Sequence, residues 1–456
     1  MNSNDGNRFK HKIGSERATL MLPLNVVMVA RIRGSVDPSG IARALETLRS
    51  RHPLLAVRVQ IGNNGFGSYV TDDVPVILIR VEPRLNQQQW ISCTEDELRT
   101  PFPMETGPLV RCVLIQSTEV SELMLCAHHA ISDGMSLTYL IRDILEHLGT
   151  SSHGLEKVIP PAINHETAST PPSLGFVGKA IIRLINRAWR KKNLSFNFNM
   201  MKQLHQRYWQ KNGGNRLLMW QFSESETTGF VNRCQAESVT VNSALWAAFL
   251  VVQHEVQGSR DQFRSCAGLA ISTRDKLNVH VGESFGFYAS SHKVLLKGYK
   301  NTSFWNAART VHSQIKRSID STNPFQMLSA TLLDPTLLDS LYFSKYGLAP
   351  NGISNKLLKK MMWDGVRFGF AITNVGRIDI PTLYGELKLD AVYGPIVYSD
   401  VNEKTVGVIT VGNRLSFVMS YDTHKINTET ATQLRDKVVE LIKEEIDGRL
   451  GGQEQS

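Results

Sequence analysis

No stretch of the 456 residues approaches the roughly 18 consecutive apolar positions that a membrane-spanning helix requires. The opening, Met1 to Lys12, is polar and lacks an apolar h-region, so no secretory leader is expected and a cytoplasmic location is. Cysteine is scarce. The five cysteines, Cys93, Cys112, Cys126, Cys234 and Cys266, are odd in number, scattered and mostly inside apolar runs, which points to buried thiols in a reducing compartment. No CxxC pair is present to bind zinc. Compositional bias is missing too: 42% hydrophobic and 20% charged residues exclude a disordered or fibrous chain.

The length exceeds one simple core and implies two lobes of about 200 residues each. A net charge of +9 admits nucleic acid, an anionic membrane, anionic small ligands or an acidic carrier protein. The positive charge reads as dispersed, which argues against a nucleic-acid groove, and no nucleic-acid partner is expected.

The chain organises around His128-His129-Ala130-Ile131-Ser132-Asp133-Gly134. Upstream, the apolar run Leu123 to Ala127 suits a strand buried on both faces. Downstream, Leu137, Leu140, Ile141, Ile144, Leu145 and Leu148 recur at helical spacing, so a helix starts near Gly134 with Ser132 or Asp133 as its cap. Two histidines at a strand end before a helix N-terminus describe a site. In an extended strand end the two rings point opposite ways, and His128 is expected to pack inside a lobe. A histidine near its ordinary pKa of about 6.5 is largely neutral at cellular pH, so His129 can take the proton from an attacking hydroxyl or amine. Gly134 is expected to let the backbone turn tightly behind His129.

Around this centre, Asn25 to Ile32 reads as a strand, and Asp37-Pro38-Ser39 opens a helix that ends at Arg51-His52-Pro53. His52 is expected to be structural. Pro101-Phe102 to Pro108-Leu109 forms a turn-rich lead into a strand from Cys112 to Gln116. Lys179 to Lys192 is a basic amphipathic helix, with Ile181, Leu184, Ile185, Ala188 and Trp189 on one face. It could cover the core with a solvated basic face, dock an acidic carrier protein or lie on a membrane surface. In the second half, Thr240 caps a helix, Cys266 to Ile271 is a strand running into Arg274, Val406 to Tyr421 is β-rich, and Thr428 to Leu450 is the last helix.

The His128 to Gly134 stretch resembles the HHxxxDG signature of the acyltransferases that include nonribosomal-peptide condensation domains, polyketide-associated acyltransferases and alcohol acetyltransferases. The Pro101 to Arg111 segment is similar to the PF-x4-GPL-x-R run that precedes that signature, and the order of the remaining elements agrees from about Ser15 to Leu450. Ala391 to Ile396 stands where plant acyl-CoA transferases carry DFGWG, which argues against that branch.

The resemblance implies an α/β fold of two similar chloramphenicol-acetyltransferase-like lobes with a tunnel between them. It divides the chain into a lobe at 1–178, a crossover at 179–215 and a second lobe at 216–456. His129 would be the general base that moves an acyl group from a coenzyme A or carrier-protein thioester to an alcohol or amine. His128, Asp133, Gly134 and Arg274 would support it, Asp133 turning from the substrate to pair with Arg274, while Asn374 and Gly376 would shape the tunnel wall. No permanently bound cofactor and no metal are implied, acyl-CoA or acyl-carrier protein being a co-substrate, and a free-standing monomer is expected.

Three other readings compete. Gly282-Glu283-Ser284-Phe285-Gly286 fits the GxSxG pattern of serine hydrolases but lacks the strand before it and the helix after it that such an elbow needs. His129 and Asp133, four apart, could hold a metal, yet no third ligand is spaced to join them. The third is a catalytically silent condensation-like protein that binds a carrier protein or small molecule.

Overall fold

A computed structural model describes residues 9–62, 65–149, 156–258, 265–361 and 368–448. Leu450, the expected end of the last helix, lies outside the described residues; the helix itself runs Thr428–Asp447. Two six-stranded sheets, each with its own hydrophobic core, form the two lobes. The architecture is therefore the two-lobed α/β arrangement implied by the motifs.

In the first lobe the central strands are Asn25–Arg33 and Val120–His128, paired antiparallel from Asn25 opposite His128 to Arg33 opposite Val120. Their near-continuous apolar sequence is buried on both faces: helices Pro38–Arg51 and Gly134–Gly149 pack together, and Gln89–Arg99 lies against both central strands. Val110–Gln116 and Ile79–Pro83 extend the sheet on one side.

The other side is completed from far along the chain. Leu387–Val397, inside the segment assigned by sequence position to the second lobe, pairs antiparallel with Asn25–Arg33 and carries Leu383–Tyr384 beyond it. A division at fixed sequence positions does not separate the two sheets. Near its end, this strand crosses toward the second sheet, where a Cβ at Gly407 would collide with the Pro395 carbonyl. Glycine at 407 is what permits that close approach.

The second sheet runs Ala289–Leu295, Cys266–Ser272, Phe370–Arg377, Lys404–Val411, Arg414–Asp422, Asn215–Gln221. The expected β-rich run near 406–421 is thus the hairpin Lys404–Val411 and Arg414–Asp422. It turns at Gly412 and Asn413, both with positive φ. Thr240 caps the helix Val241–Gln257 through its hydroxyl, which accepts from Ser243 N at 3.1 Å.

Between the lobes, the crossover forms the helices Phe176–Arg190 and Phe198–Lys211. The expectation of dispersed charge fails here. Residues 167–223 hold ten Lys and Arg and no Asp or Glu, so the rest of the chain, 41 Lys and Arg against 42 Asp and Glu, is nearly neutral. Among the described residues no helix is long and apolar enough to cross a membrane.

Candidate active site at the junction of the lobes

Strand pairing continues one residue past Val120–His128, because His129 N donates to Leu24 O at 2.8 Å. Alternation along an extended chain then sends the two imidazoles to opposite faces. His128 is buried, with Nε2 donating to Leu22 O at 3.2 Å and Nδ1 accepting from Ala130 N at 3.2 Å. Burial lowers its pKa to about 3. Behind it lies a cavity of about 160 Å³ lined by Phe102, Met201 and His205, and by Leu22 and Pro23.

His129 faces the other way, into a cavity of about 270 Å³ at the junction of the lobes. Leu24, Asp133 and Gly134 wall it from the first lobe, and Gly268, Ala270, Thr273, Ala371 and Thr373 from the second. The backbone carbonyl of Ser132 lies 2.7 Å from His129 Nδ1. A carbonyl only accepts, so Nδ1 carries the proton in the neutral ring and Nε2 keeps its lone pair. The edge-to-face ring of Phe287, 5.2 Å away, fixes the imidazole plane. Burial lowers the His129 pKa, and the Ser132 carbonyl and the Asp133 charge oppose that shift without cancelling it.

Asp133 is turned away from that lone pair. Its Oδ1 accepts from Ser136 N at 2.8 Å, capping the helix Gly134–Gly149, and its Oδ2 accepts from Tyr288 N at 3.1 Å. Arg274 Nη2 sits 3.1 Å from Oδ1 and also donates to Ser136 Oγ at 2.7 Å, while Nη1 donates to the carbonyls of Gly282 and Ser284. The guanidinium therefore ties the helix after the histidines to the second lobe's 282–288 loop. Ser136 Oγ donates on to Gly286 O at 2.8 Å, and Arg142 forms a bidentate pair with Glu283 at 2.6 Å. His52, at the end of Pro38–Arg51, is buried 3.6 Å from Asp143 in the same seam.

Two sequence expectations need correction. Gly134 is required for space, not for an unusual turn: a Cβ there would stand 2.9 Å from Pro395 and 3.1 Å from Val375 Cγ2. Its φ is not among the positive ones. Asn374 and Gly376 are not in the cavity wall. On the strand Phe370–Arg377 alternation gives the wall to Ala371 and Thr373, while Asn374 Oδ1 accepts from Gly376 N at 2.8 Å across a bulge.

Ser284 is buried in a loop with no following helix, so a hydrolase elbow is not formed. The residue that sequence reasoning missed is Thr273. Its side chain is 2% exposed, lines the cavity, and its Oγ1 has no hydrogen-bond partner in the protein. A lone threonine at a strand end gives no signal in sequence; only an accounting of buried polar atoms finds it.

Comparison with known proteins agrees with the two-lobed fold. Residues 23–161 match the Condensation domain family. A linear gramicidin synthase from Brevibacillus parabrevis is 32% identical over 128 residues, 27% of this chain, a stretch that spans only 2% of that synthase polypeptide. Among solved structures, trichothecene 15-O-acetyltransferase from Fusarium sporotrichioides superposes with a TM-score of 0.66 at 10% identity, covering 96% of each chain. The first condensation domain of the CDA synthetase gives 0.62 at 14% identity, covering 98% of this chain and 97% of that one. The HHxxxDG-bearing lobe thus carries the Condensation domain match, and the chain as a whole has the two-lobed fold of the condensation-domain-like acyltransferases.

Proposed function

We propose that the protein is an acyltransferase that moves an acyl group from a coenzyme A or carrier-protein thioester to an alcohol or amine, with His129 as general base. One observation carries this reading: the proton on Nδ1 is committed to the Ser132 carbonyl, so the Nε2 lone pair is the ring's free atom in a cavity shared by both lobes. Nε2 takes the proton of the acceptor as its oxygen or nitrogen attacks the thioester carbonyl carbon. The tetrahedral intermediate then collapses, the C–S bond breaks, and the departing sulfur takes the proton back from the imidazolium. A base held in place in this way contributes on the order of 10²–10⁴-fold, and holding both substrates in one cavity adds to it.

In this reading Asp133, Gly134, Arg274 and His128 are positioning residues, and Thr273 Oγ1 is a hydrogen-bond donor to substrate. The fold shared with the trichothecene acetyltransferase and condensation domains, and the family match at 23–161, support it. The test is release of free thiol from a panel of acyl-CoAs and acyl-carrier proteins, with and without alcohols and amines. Acceptor-dependent thiol release that His129→Ala abolishes, in a variant that melts like the parent, is the expected result. Release from no donor, or release untouched by the substitution, refutes it.

A further inference from the structure

The helix Phe176–Arg190 has three lengthwise sectors. Ile182, Ile185 and Trp189 turn inward, and the helix is clamped by Trp189 Nε1 donating to Thr336 Oγ1 at 2.8 Å, Asn186 Nδ2 to Leu332 O at 2.8 Å and Arg190 Nε to Asp334 Oδ2 at 2.9 Å. The second sector is apolar and bare: Val177, Ile181 and Leu184, spaced i, i+4 and i+7, are 70%, 50% and 66% exposed, and Phe176, 84% exposed, opens the helix at the edge of the cationic sector. Beside it stand Lys179, Arg183 and Arg187, all exposed and, among the described residues, paired with no carboxylate. The expected single apolar face is therefore split, and only part of it reaches the core.

We infer that Phe176–Arg190 is an interfacial helix whose bare stripe seats in the surface of an anionic lipid bilayer, with Lys179, Arg183 and Arg187 at the headgroup phosphates. An apolar stripe at helical spacing, left in water on a clamped helix, marks an interaction site. Its charge selects the partner's sign, since the 57 residues from 167 to 223 hold all of the chain's excess cations. An acidic protein surface would answer the cations and leave four large apolar side chains in water; a bilayer interface takes both.

The helix also sits beside the cavity. Leu332, which accepts from Asn186, ends the short helix Gln326–Leu332, whose Met327 and Leu328 line the His129 cavity. If the acyl-transfer reading holds, docking brings the cavity rim next to a source of lipophilic substrate.

The test uses the full chain floated with vesicles of equal parts phosphatidylcholine and phosphatidylglycerol. Binding is expected, much weaker with phosphatidylcholine alone, falling about fivefold for each of Arg183→Gln and Arg187→Gln. It should be lost in the double variant Ile181→Asp, Leu184→Asp, which replaces exposed side chains and should melt like the parent. No binding overturns the inference, and so does binding indifferent to the double variant, which would be charge adsorption alone. Saturable binding of an acidic acyl-carrier protein, sensitive to that variant while vesicles do not bind, overturns it in favour of carrier docking. Binding is read without turnover, so a chain that binds vesicles and releases no thiol refutes the acyl-transfer reading and leaves the docking intact.

Discussion

His128 and His129 are neighbours in sequence and open onto different cavities. On the His128 side both ring nitrogens are spent on the backbone, and burial lowers the pKa to about 3. On the His129 side one nitrogen is spent and one is free. The difference does not lie in the residue type or in burial alone. It lies in whether the nearby backbone offers one partner or two, and a ring with two partners is a fastener.

The sharpest way to break this comparison is to remove each ring in turn. His129→Ala should lower kcat/KM on the order of 10²–10⁴-fold while the melting curve stays put, since it deletes a single bond beside a cavity that water can enter. His128→Leu should act in the opposite sense. It strands the buried Ala130 N–H, worth about 1–3 kcal/mol without a partner, while the Leu22 carbonyl keeps its bond from Leu24 N, so stability falls first. Equal losses of activity and stability in both variants would erase the distinction.

Arg274 supplies the next largest effect, because it serves only one of the two sides. Arg274→Met leaves Asp133 with two N–H donors and no cation. Breaking a buried pair costs about 3 kcal/mol at the lower end of its range, read as a lowered melting temperature and a loosened seam between lobes. Asp133→Asn separates positioning from proton transfer. If Asp133 only positions the turn, the residual activity keeps the parent's pH profile; a shifted profile would make it part of the proton path.

Acid extends the contrast to stability. His128 titrates near 6.5 unfolded and near 3 folded, so the unfolded chain binds more protons between those values. Stability is therefore full above pH 6.5 and lost as pH falls, by about 2 kcal/mol at pH 5 from this ring alone. His205, lowered to about 4 by burial, adds in the same direction. Burial lowers the His129 pKa as well, so kcat/KM should stay flat down through pH 6.5 and decline only in more acid solution. Chemical denaturation from pH 7 to 5, with His128→Leu as control, measures the first; a parent and variant with the same slope would contradict it.

Much of this site could be read from residues alone, and the reason is local. The apolar run before His128, the helical period after Gly134 and the opposite facing of adjacent strand residues are all properties of fewer than about 25 consecutive positions. What escaped was non-local. Leu387–Val397 forms a strand against Asn25–Arg33, and nothing in either stretch says that the two are partners. Gly134 reads as a flexible turn because Pro395, the group it makes room for, is distant in sequence. Asn374 and Gly376 were misplaced by phase: which half of an alternating strand faces a cavity depends on the sheet's tilt against its neighbours. The charge pattern is different in kind, since the acid-free stretch from 167 to 223 is visible in sequence once charge is counted by segment.

Thr273 gives the smallest expected effect and the finest test of the His129 side. Its hydroxyl is buried without a protein partner, an arrangement that costs on the order of 1 kcal/mol or more unless something else accepts the proton. His128 itself leaves no nitrogen unsatisfied, although His205 Nε2 on the same cavity has no hydrogen-bond partner. If substrate supplies the missing partner, Thr273→Val keeps the shape, removes the donor, and lowers kcat/KM several-fold while the free protein becomes no less stable. If the hydroxyl is an idle polar atom instead, the same substitution stabilises the protein and leaves kcat/KM where it was, and a polar hold on substrate from the end of the second lobe's Cys266–Ser272 strand would have to be sought elsewhere.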